Sequence, residues 1–281
     1  MNNRKLNKLI RSPKAFFIDA INKKLGRIND INSIVNPNNK RIITYTFGFS
    51  TWKQFLRKYF PERQFEFFPK GVTEKDLPVI REKLLSKKNI EVFIWGINLD
   101  QSILSFIEEN KIPHYFVEDG FIRSVKLGAV KSPPRSLSLD SRTPYFDARG
   151  PSDLEVLLST YDFAKHPELL ARSRRLISLM IKNNISKYNN SRPVDVEKIY
   201  GEKNKKRILV VGQVEDDASI KYGCDRPMTN YDLLKMACDE NPDAQIFYKE
   251  HPDVLAGTRQ SNSNMQALKA RCQLLMNDFP L

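Results

Sequence analysis

Between residues 41 and 119 the chain alternates short apolar runs with helical periods, and that alternation leaves few folds open to it. The runs "RIITYTF" (41–47), "QFEFF" (64–68), "IEVFIWG" (90–96) and "PHYFVED" (113–119) are rich in β-branched and aromatic residues. Between them, "FSTWKQFLRKYF" (49–60), "TEKDLPVIREKLLSKK" (73–88) and "LDQSILSFIEENK" (99–111) read as helices. Strands alternating with helices predict a parallel sheet with helices on both faces. Ligands of such sheets bind outside the carboxyl ends of the strands.

The rest of the chain is less regular. Residues 121–150 read as loop, 151–163 and 167–188 as two helical stretches, and "YNNSRPVD" (188–195) as a linker. At 206 the pattern restarts. "KRILVVGQ" is a parallel-type strand, "EDDASIKYG" its loop, "TNYDLLKMACDEN" (229–241) a helix capped by Thr229 or Asn230, and "AQIFYKEHP" (244–252) the next strand. The expected organisation is a basic segment and linker over 1–40, a Rossmann-like domain with a helical extension over 41–190, and a partial second Rossmann-like domain over 206–281. Two strands make no stable domain alone, so 206–281 is expected to be the weaker part.

Lys and Arg number 46 against 33 Asp and Glu, a formal net charge of +13. That excess favours an anionic partner: nucleic acid, a phospholipid surface, or a phosphorylated or nucleotide-linked substrate. No nucleic-acid recognition motif is present, so nucleic acid is not the expected partner. Residues 1–28, "MNNRKLNKLIRSPKAFFIDAINKKLGRI", combine cations with bulky apolar residues. They suit either a helix packed on the protein or a basic amphipathic anchor on an anionic membrane face. No apolar run reaches the roughly 18 residues of a membrane span, and the start lacks the apolar core of a signal peptide. Cys224, Cys238 and Cys272 are odd in number and contain no C-x-x-C pair; they read as reduced thiols in a cytoplasmic protein.

Three motifs carry the chemistry. Glu118, Asp119 and Gly120 sit where an apolar strand surfaces. A carboxyl at a partly buried strand end has the tuned acidity of a general acid or base; the bland alternative is an acidic turn. In "VVGQVEDDAS" (210–219), Gly212 permits close backbone approach and Glu215, Asp216 and Asp217 cluster. One of these acids suits a nucleophile at a sugar anomeric centre; a solvated acidic loop explains them equally. No third ligand accompanies the Asp pair, so no metal is expected. In "YKEHPD" (248–253), Lys249 and His251 suit a phosphate or carboxylate. His166 also precedes a proline but lies between helices, so the dipeptide alone proves little. Walker, G-x-G-x-x-G and G-x-S-x-G motifs are absent from the sequence.

In order, "FVEDGFIRSVKLG", "PPRSLSLDSRTPYFDARGPSDLE", "ILVVGQVEDDASIKYG" and "NPDAQIFYKEHPDVLAG" closely resemble the bacterial capsule polysaccharide biosynthesis family of the KpsC type. The resemblance covers roughly residues 41–260. A looser similarity links Glu118–Gly120 and the His251-Pro252 pair to bacterial sialyltransferases that use CMP-linked nine-carbon acids. The family resemblance implies two Rossmann-like domains in a GT-B arrangement, and transfer of Kdo from CMP-Kdo to an anionic glycerolipid acceptor. The setting it implies is the cytoplasmic face of the inner membrane, with capsule assembly or export proteins as further partners and no cofactor beyond the donor. It implies Glu118 as acid/base and Asp217, with Asp216 as the near alternative, as nucleophile of a retaining double displacement. Substrate contacts are implied at Asp119, Gly120, Arg123, Gln213, Lys249, His251 and Pro252. It also implies a longer second domain, so this one is expected to be truncated; the competing expectation is a non-catalytic fragment that binds membrane or an assembly partner.

Overall fold

The computed structural model describes residues 42–49, 55–125, 132–189, 194–257, 259, 267 and 269–275. The segment and linker expected over 1–40 lie outside the described residues, as do 50–54 of the first expected helix and 190–193 of the second linker. Contacts divide the chain into two compact units. One runs to Asp119 and takes in Leu137–Pro144; the other comprises Gly120–Ser136 and Tyr145 onward. The sequence reading drew its break between 190 and 206. Residues 145–150 group with the second unit because Ala148 N–H donates to the Tyr222 carbonyl and the Arg149 guanidinium lies over the Tyr222 ring at 4.2 Å.

The first unit contains β1 (Ile42–Phe47), a single turn α1 (Leu56–Tyr59), β2 (Arg63–Phe67), α2 (Leu77–Leu85), β3 (Ile90–Trp95), α3 (Gln101–Glu109), β4 (His114–Asp119) and β5 (Leu137–Asp140). Its sheet runs β2-β1-β3-β4-β5. The first four strands are parallel; β5 adds an antiparallel edge, with Glu118 opposite Ser138 and Asp119 opposite Leu137. Strand alternation divides the core in two. Tyr45, Phe47, Val92, Ile94 and Phe116 pack under α2 and α3 through Ile80, Leu84, Ile103, Phe106 and Ile107. Phe65, Phe93 and Val117 face the other way, onto Phe49 and Leu56. Burial on both faces is what the near-continuous apolar runs of a parallel sheet require.

The opposite, amino-terminal end of this sheet is held by a buried carboxylate. Glu91 Oε1 accepts from Thr44 Oγ1 at 2.6 Å and from Arg63 Nε at 2.5 Å, joining β3 to β1 and β2. Burial pulls the Arg63 guanidinium down, but the hydrogen bond and charge of Glu91 outweigh it and hold its pKa above the ordinary value. The guanidinium also lies over Phe60 at 4.8 Å.

The second unit contains α4 (Asp153–Thr160), α5 (Pro167–Lys182), α6 (Val196–Tyr200), β6 (Arg207–Val211), α7 (Ala218–Gly223), α8 (Asn230–Glu240), β7 (Gln245–Lys249), a turn α9 (Pro252–Leu255) and β8 (Gln273–Leu275). Its strands are parallel in the order β6-β7-β8. Val210, Ile246 and Tyr248 pack under Leu234 and Cys238 of α8; Phe247 and Leu275 face Ile199 and Tyr200.

Three elements correct the sequence reading. β5 lies inside the stretch read as loop. Its "LSLD" alternates, placing Leu137 and Leu139 on the core, and Asp140 closes it by accepting from the N–H groups of Arg142 and Thr143. The flanking prolines and serines masked that period. α7 replaces the loop expected at 215–223; six residues are too few to show a helical period. β8 is a third strand where two were expected, and three residues carry no pattern.

Glu91→Ala removes the acceptor shared by Thr44 and Arg63 and leaves Arg63 with the exposed Glu62 as its remaining carboxylate partner. The expected loss is about 2–3 kcal/mol, read as a lower urea midpoint. Glu91→Gln, which keeps an acceptor, is expected to lose less. An unchanged midpoint in Glu91→Ala would mean that Arg63 regains solvent at no cost.

Candidate functional site

In the first unit the site follows from topology. The order β2-β1-β3-β4 reverses direction between β1 and β3, and crevices at such reversals hold ligands. Both strands end there in glycine at positive φ, Gly48 at +75° and Gly96 at +60°. A Cβ on Gly48 would lie 3.2 Å from the Trp95 carbonyl, and one on Gly96 would lie 2.8 Å from Glu118 Oε1. The missing side chain at 96 therefore makes room for the Glu118 carboxylate, which is half-buried at the end of β4. Its other oxygen accepts from the Asp119 N–H at 3.3 Å. The carboxyl end of the sheet thus presents an acid seated on a glycine floor.

Gly120 opens the second unit. Its N–H donates to the Ser136 carbonyl at 3.0 Å, and a Cβ would strike Ser136 Oγ at 2.3 Å. Arg123 is 1% exposed. Its Nη1 donates to the Ser132 carbonyl and to Ser124 Oγ, while the Arg123 and Ser124 N–H groups donate to the Lys187 carbonyl. The guanidinium therefore ties the loop together.

The remaining expected residues surround the carboxyl ends of β6 and β7. Gly212 follows β6, and a Cβ there would lie 2.2 Å from the buried Tyr248 hydroxyl. That hydroxyl donates to Glu250 Oε1 at 3.2 Å, and the same oxygen accepts from the His251 N–H at 2.9 Å. Burial, then the charge of Glu250, pushes the Tyr248 phenol up, so it stays protonated and a donor. Lys249 is 2% exposed. Gln213 is gripped by Asn230, whose Oδ1 accepts from the Gln213 N–H at 3.0 Å and whose Nδ2 donates to its carbonyl at 2.7 Å. Thr229, not Asn230, caps α8, with Asp232 completing a reciprocal capping box.

The two candidate nucleophiles differ in setting. Asp216 is exposed and paired with Arg259 at 2.5 Å, and that hydrogen bond holds its carboxyl below the ordinary range. Asp217 caps α7: its Oδ1 accepts from the Ser219 N–H at 3.0 Å and from Ser219 Oγ at 2.7 Å. It lies close enough to His251 to favour that imidazole's charged form. Pro252 begins α9, and His251 caps it, Nδ1 accepting from the Asp253 N–H at 3.1 Å. The neutral ring then carries its proton on Nε2. Burial, opposed by Asp253, Asp217 and Glu250 and aided by Lys249, lowers the His251 pKa below the ordinary 6.5. The ring is a neutral Nε2–H donor near pH 7.

Asn230, Tyr248 and Glu250 were missed as members of this site. Glu250 had a signal, an acid between Lys249 and His251 at a strand end. Asn230 had none, because its role is a clamp across seventeen residues of sequence. Among the described residues no group of three or more His, Cys, Asp or Glu side chains is placed to hold a metal ion, and no helix is long and apolar enough to cross a membrane.

The parallel-rich sheets make this a mixed α/β protein, consistent with a Rossmann-like glycosyltransferase fold. The chain belongs to the capsule polysaccharide biosynthesis protein family, whose model matches residues 92–281. It is 35% identical over 240 residues to the lipopolysaccharide-processing protein LpsZ of Rhizobium meliloti, covering 85% of this chain and 54% of that one. It is 38% identical over 218 residues to the capsule polysaccharide modification protein LipA of Neisseria meningitidis serogroup A, covering 76% of this chain and 29% of LipA. The chain thus spans about half the length of LpsZ and under a third of LipA. Its backbone matches Thermosulfurimonas dismutans KpsC, a beta Kdo 2,4 transferase, with a TM-score of 0.63 and 26% identity over 87% of this chain and 71% of that one. The KpsC beta Kdo 2,7 transferase matches with a TM-score of 0.55 and 29% identity, over 85% of this chain and 68% of that one.

Two outcomes follow from this geometry. Gly96→Ala forces a Cβ against Glu118 at positive φ, whereas Gly71→Ala meets only its φ of +76°, with nothing within 4 Å. Unfolding in urea should show a larger loss for Gly96→Ala, by about 1 kcal/mol or more; equal losses would mean Glu118 moves aside freely. His251 should titrate by NMR below 6.5 with its proton on Nε2. Because the folded value is depressed, the neutral ring's contribution is present above the unfolded pKa and lost as pH falls through the folded one. Wild type should therefore lose more stability than His251→Asn between about pH 7 and about pH 5; parallel losses would contradict the assignment.

Proposed function

We propose that the chain is a glycosyltransferase of capsular polysaccharide synthesis, transferring Kdo from CMP-Kdo to a lipid-linked acceptor at the cytoplasmic face of the inner membrane. In this reading the two units are the two Rossmann-like domains of a GT-B enzyme. The observation that carries it is the half-buried Glu118, seated on Gly96 at the strand reversal, in a chain whose backbone matches two Kdo transferase domains.

The reaction is a retaining double displacement. The Asp217 carboxylate attacks the anomeric carbon, a sugar–carboxylate bond forms, and CMP leaves with the electrons of the broken bond. Glu118 then takes the proton of the acceptor hydroxyl as its oxygen displaces Asp217 and regenerates the carboxylate. Asp217 is favoured over Asp216 because Asp216 is committed to Arg259, whereas Asp217 acts on His251 and leaves Oδ2 outside its cap. His251 offers its Nε2–H to the anionic donor, and Gln213 and Lys249 border the same strand ends. Asp119 and Gly120 carry the chain on from Glu118, and Pro252 starts the turn that His251 caps. Arg123 contributes by holding the loop after Glu118.

The decisive assay is CMP release from CMP-Kdo with and without a glycerolipid acceptor. Glu118→Gln should lower transfer by about a hundredfold or more while donor binding persists, and Asp217→Ala should abolish transfer. Wild-type turnover in Glu118→Gln removes Glu118 from the mechanism. Absence of CMP release from the unaltered chain under both conditions overturns the transferase reading.

A further inference from the structure

α5 does not behave as a core helix. None of its sixteen residues, "PELLARSRRLISLMIK", is buried. Its apolar residues are nevertheless ordered. Leu169, Leu170, Leu176, Ile177, Met180 and Ile181 fall within one arc, with Ser173 among them, while Leu179, 55% exposed, lies outside it between Arg172 and Arg175. Ile177 is 56% and Ile181 72% exposed. At 100° per residue, Arg174 and Arg172 fall on the two borders of that arc, with Arg175 and Lys182 on the polar side between them. Four cations face one acid, Glu168, in this helix.

A helix with no fully buried residue, only Leu169, Leu170 and Met180 being largely covered, gains little of the tertiary packing that normally stabilises an amphipathic helix in water. Its apolar face needs a cover, and the charge pattern says of what kind. Four cations against one acid favour an anionic cover. Arginines at both borders, with further cations behind, match a flat surface that is apolar inside and anionic at its rim. At 1.5 Å per residue the helix is about 24 Å long. With four cations in that length it is too charged to span a bilayer and suited to lie along one.

We propose that α5 is an interfacial helix that docks on an anionic lipid surface, its apolar arc among the acyl chains and Arg172 and Arg174 at the headgroup phosphates. The inference stands on this helix alone and does not depend on the transferase reading or on residues 1–28.

The test uses the full chain and vesicles of phosphatidylglycerol mixed with phosphatidylcholine, against phosphatidylcholine alone. The unaltered protein should co-sediment with the anionic vesicles and be released by salt. I177D/I181D should cut partitioning by about tenfold or more, and R172E/R174E should remove the preference for the anionic lipid. Far-UV circular dichroism matching the unaltered protein confirms that these exposed changes leave the fold intact. I177W gives the local readout: its emission should shift to the blue on anionic vesicles and be quenched by brominated acyl chains, beyond the signal of the native tryptophans. Undiminished partitioning of I177D/I181D, or no quenching of I177W, overturns the proposal. So does a dimer in light scattering that I177D/I181D splits into monomers, since a second copy would then be the cover.

Discussion

A parallel sheet buried on both faces has only its strand ends left for chemistry. In the first unit, Tyr45, Phe47, Val92 and Ile94 are committed to one core, and Phe65, Phe93 and Val117 to the other. The amino-terminal end is occupied by the Thr44–Glu91–Arg63 contact. The carboxyl end is therefore where a polar side chain can meet a ligand without breaking the core. Glycines at positions 48 and 96 lower the rim at the strand reversal, and Glu118 stands in the space one of them leaves.

The second unit solves a similar problem with a polar network. Three short strands make a small core, and the segment after β6, anchored by the buried Val214, is held further by hydrogen bonds. Asn230 clamps the Gln213 peptide, Ser219 engages Asp217, and Glu250 bridges the Tyr248 hydroxyl and the His251 backbone. Each buried polar atom in this set has a partner, which makes the arrangement specific to one loop conformation. Asp217 and His251 are both helix caps.

Much of this was legible in the residues themselves. The runs at 42–47, 90–95 and 114–119 became strands because β-branched and aromatic residues in unbroken apolar stretches suit two-sided burial. Thr229 or Asn230 was legible as the cap of α8, and the structure gives the cap to Thr229. Glu118, Gly212, Asp217 and His251 were visible as polar or glycine residues that interrupt apolar runs at strand ends. Those signals are local: each lies within a few residues of the element it marks.

What the sequence by itself determined was therefore the kind of element at each place and the strand ends on which chemistry falls. Tertiary structure alone decided which of those residues share a partner. Nothing in the chain ties Asn230 to Gln213, Glu91 to both Thr44 and Arg63, or Gly96 to Glu118, because each pairing is a contact between elements far apart in sequence. It also decided that Arg123 is a buried tie for its loop and that Asp216 answers to Arg259. An arginine or an aspartate carries the same charge in either role; only the groups that the fold places around it determine which role it takes.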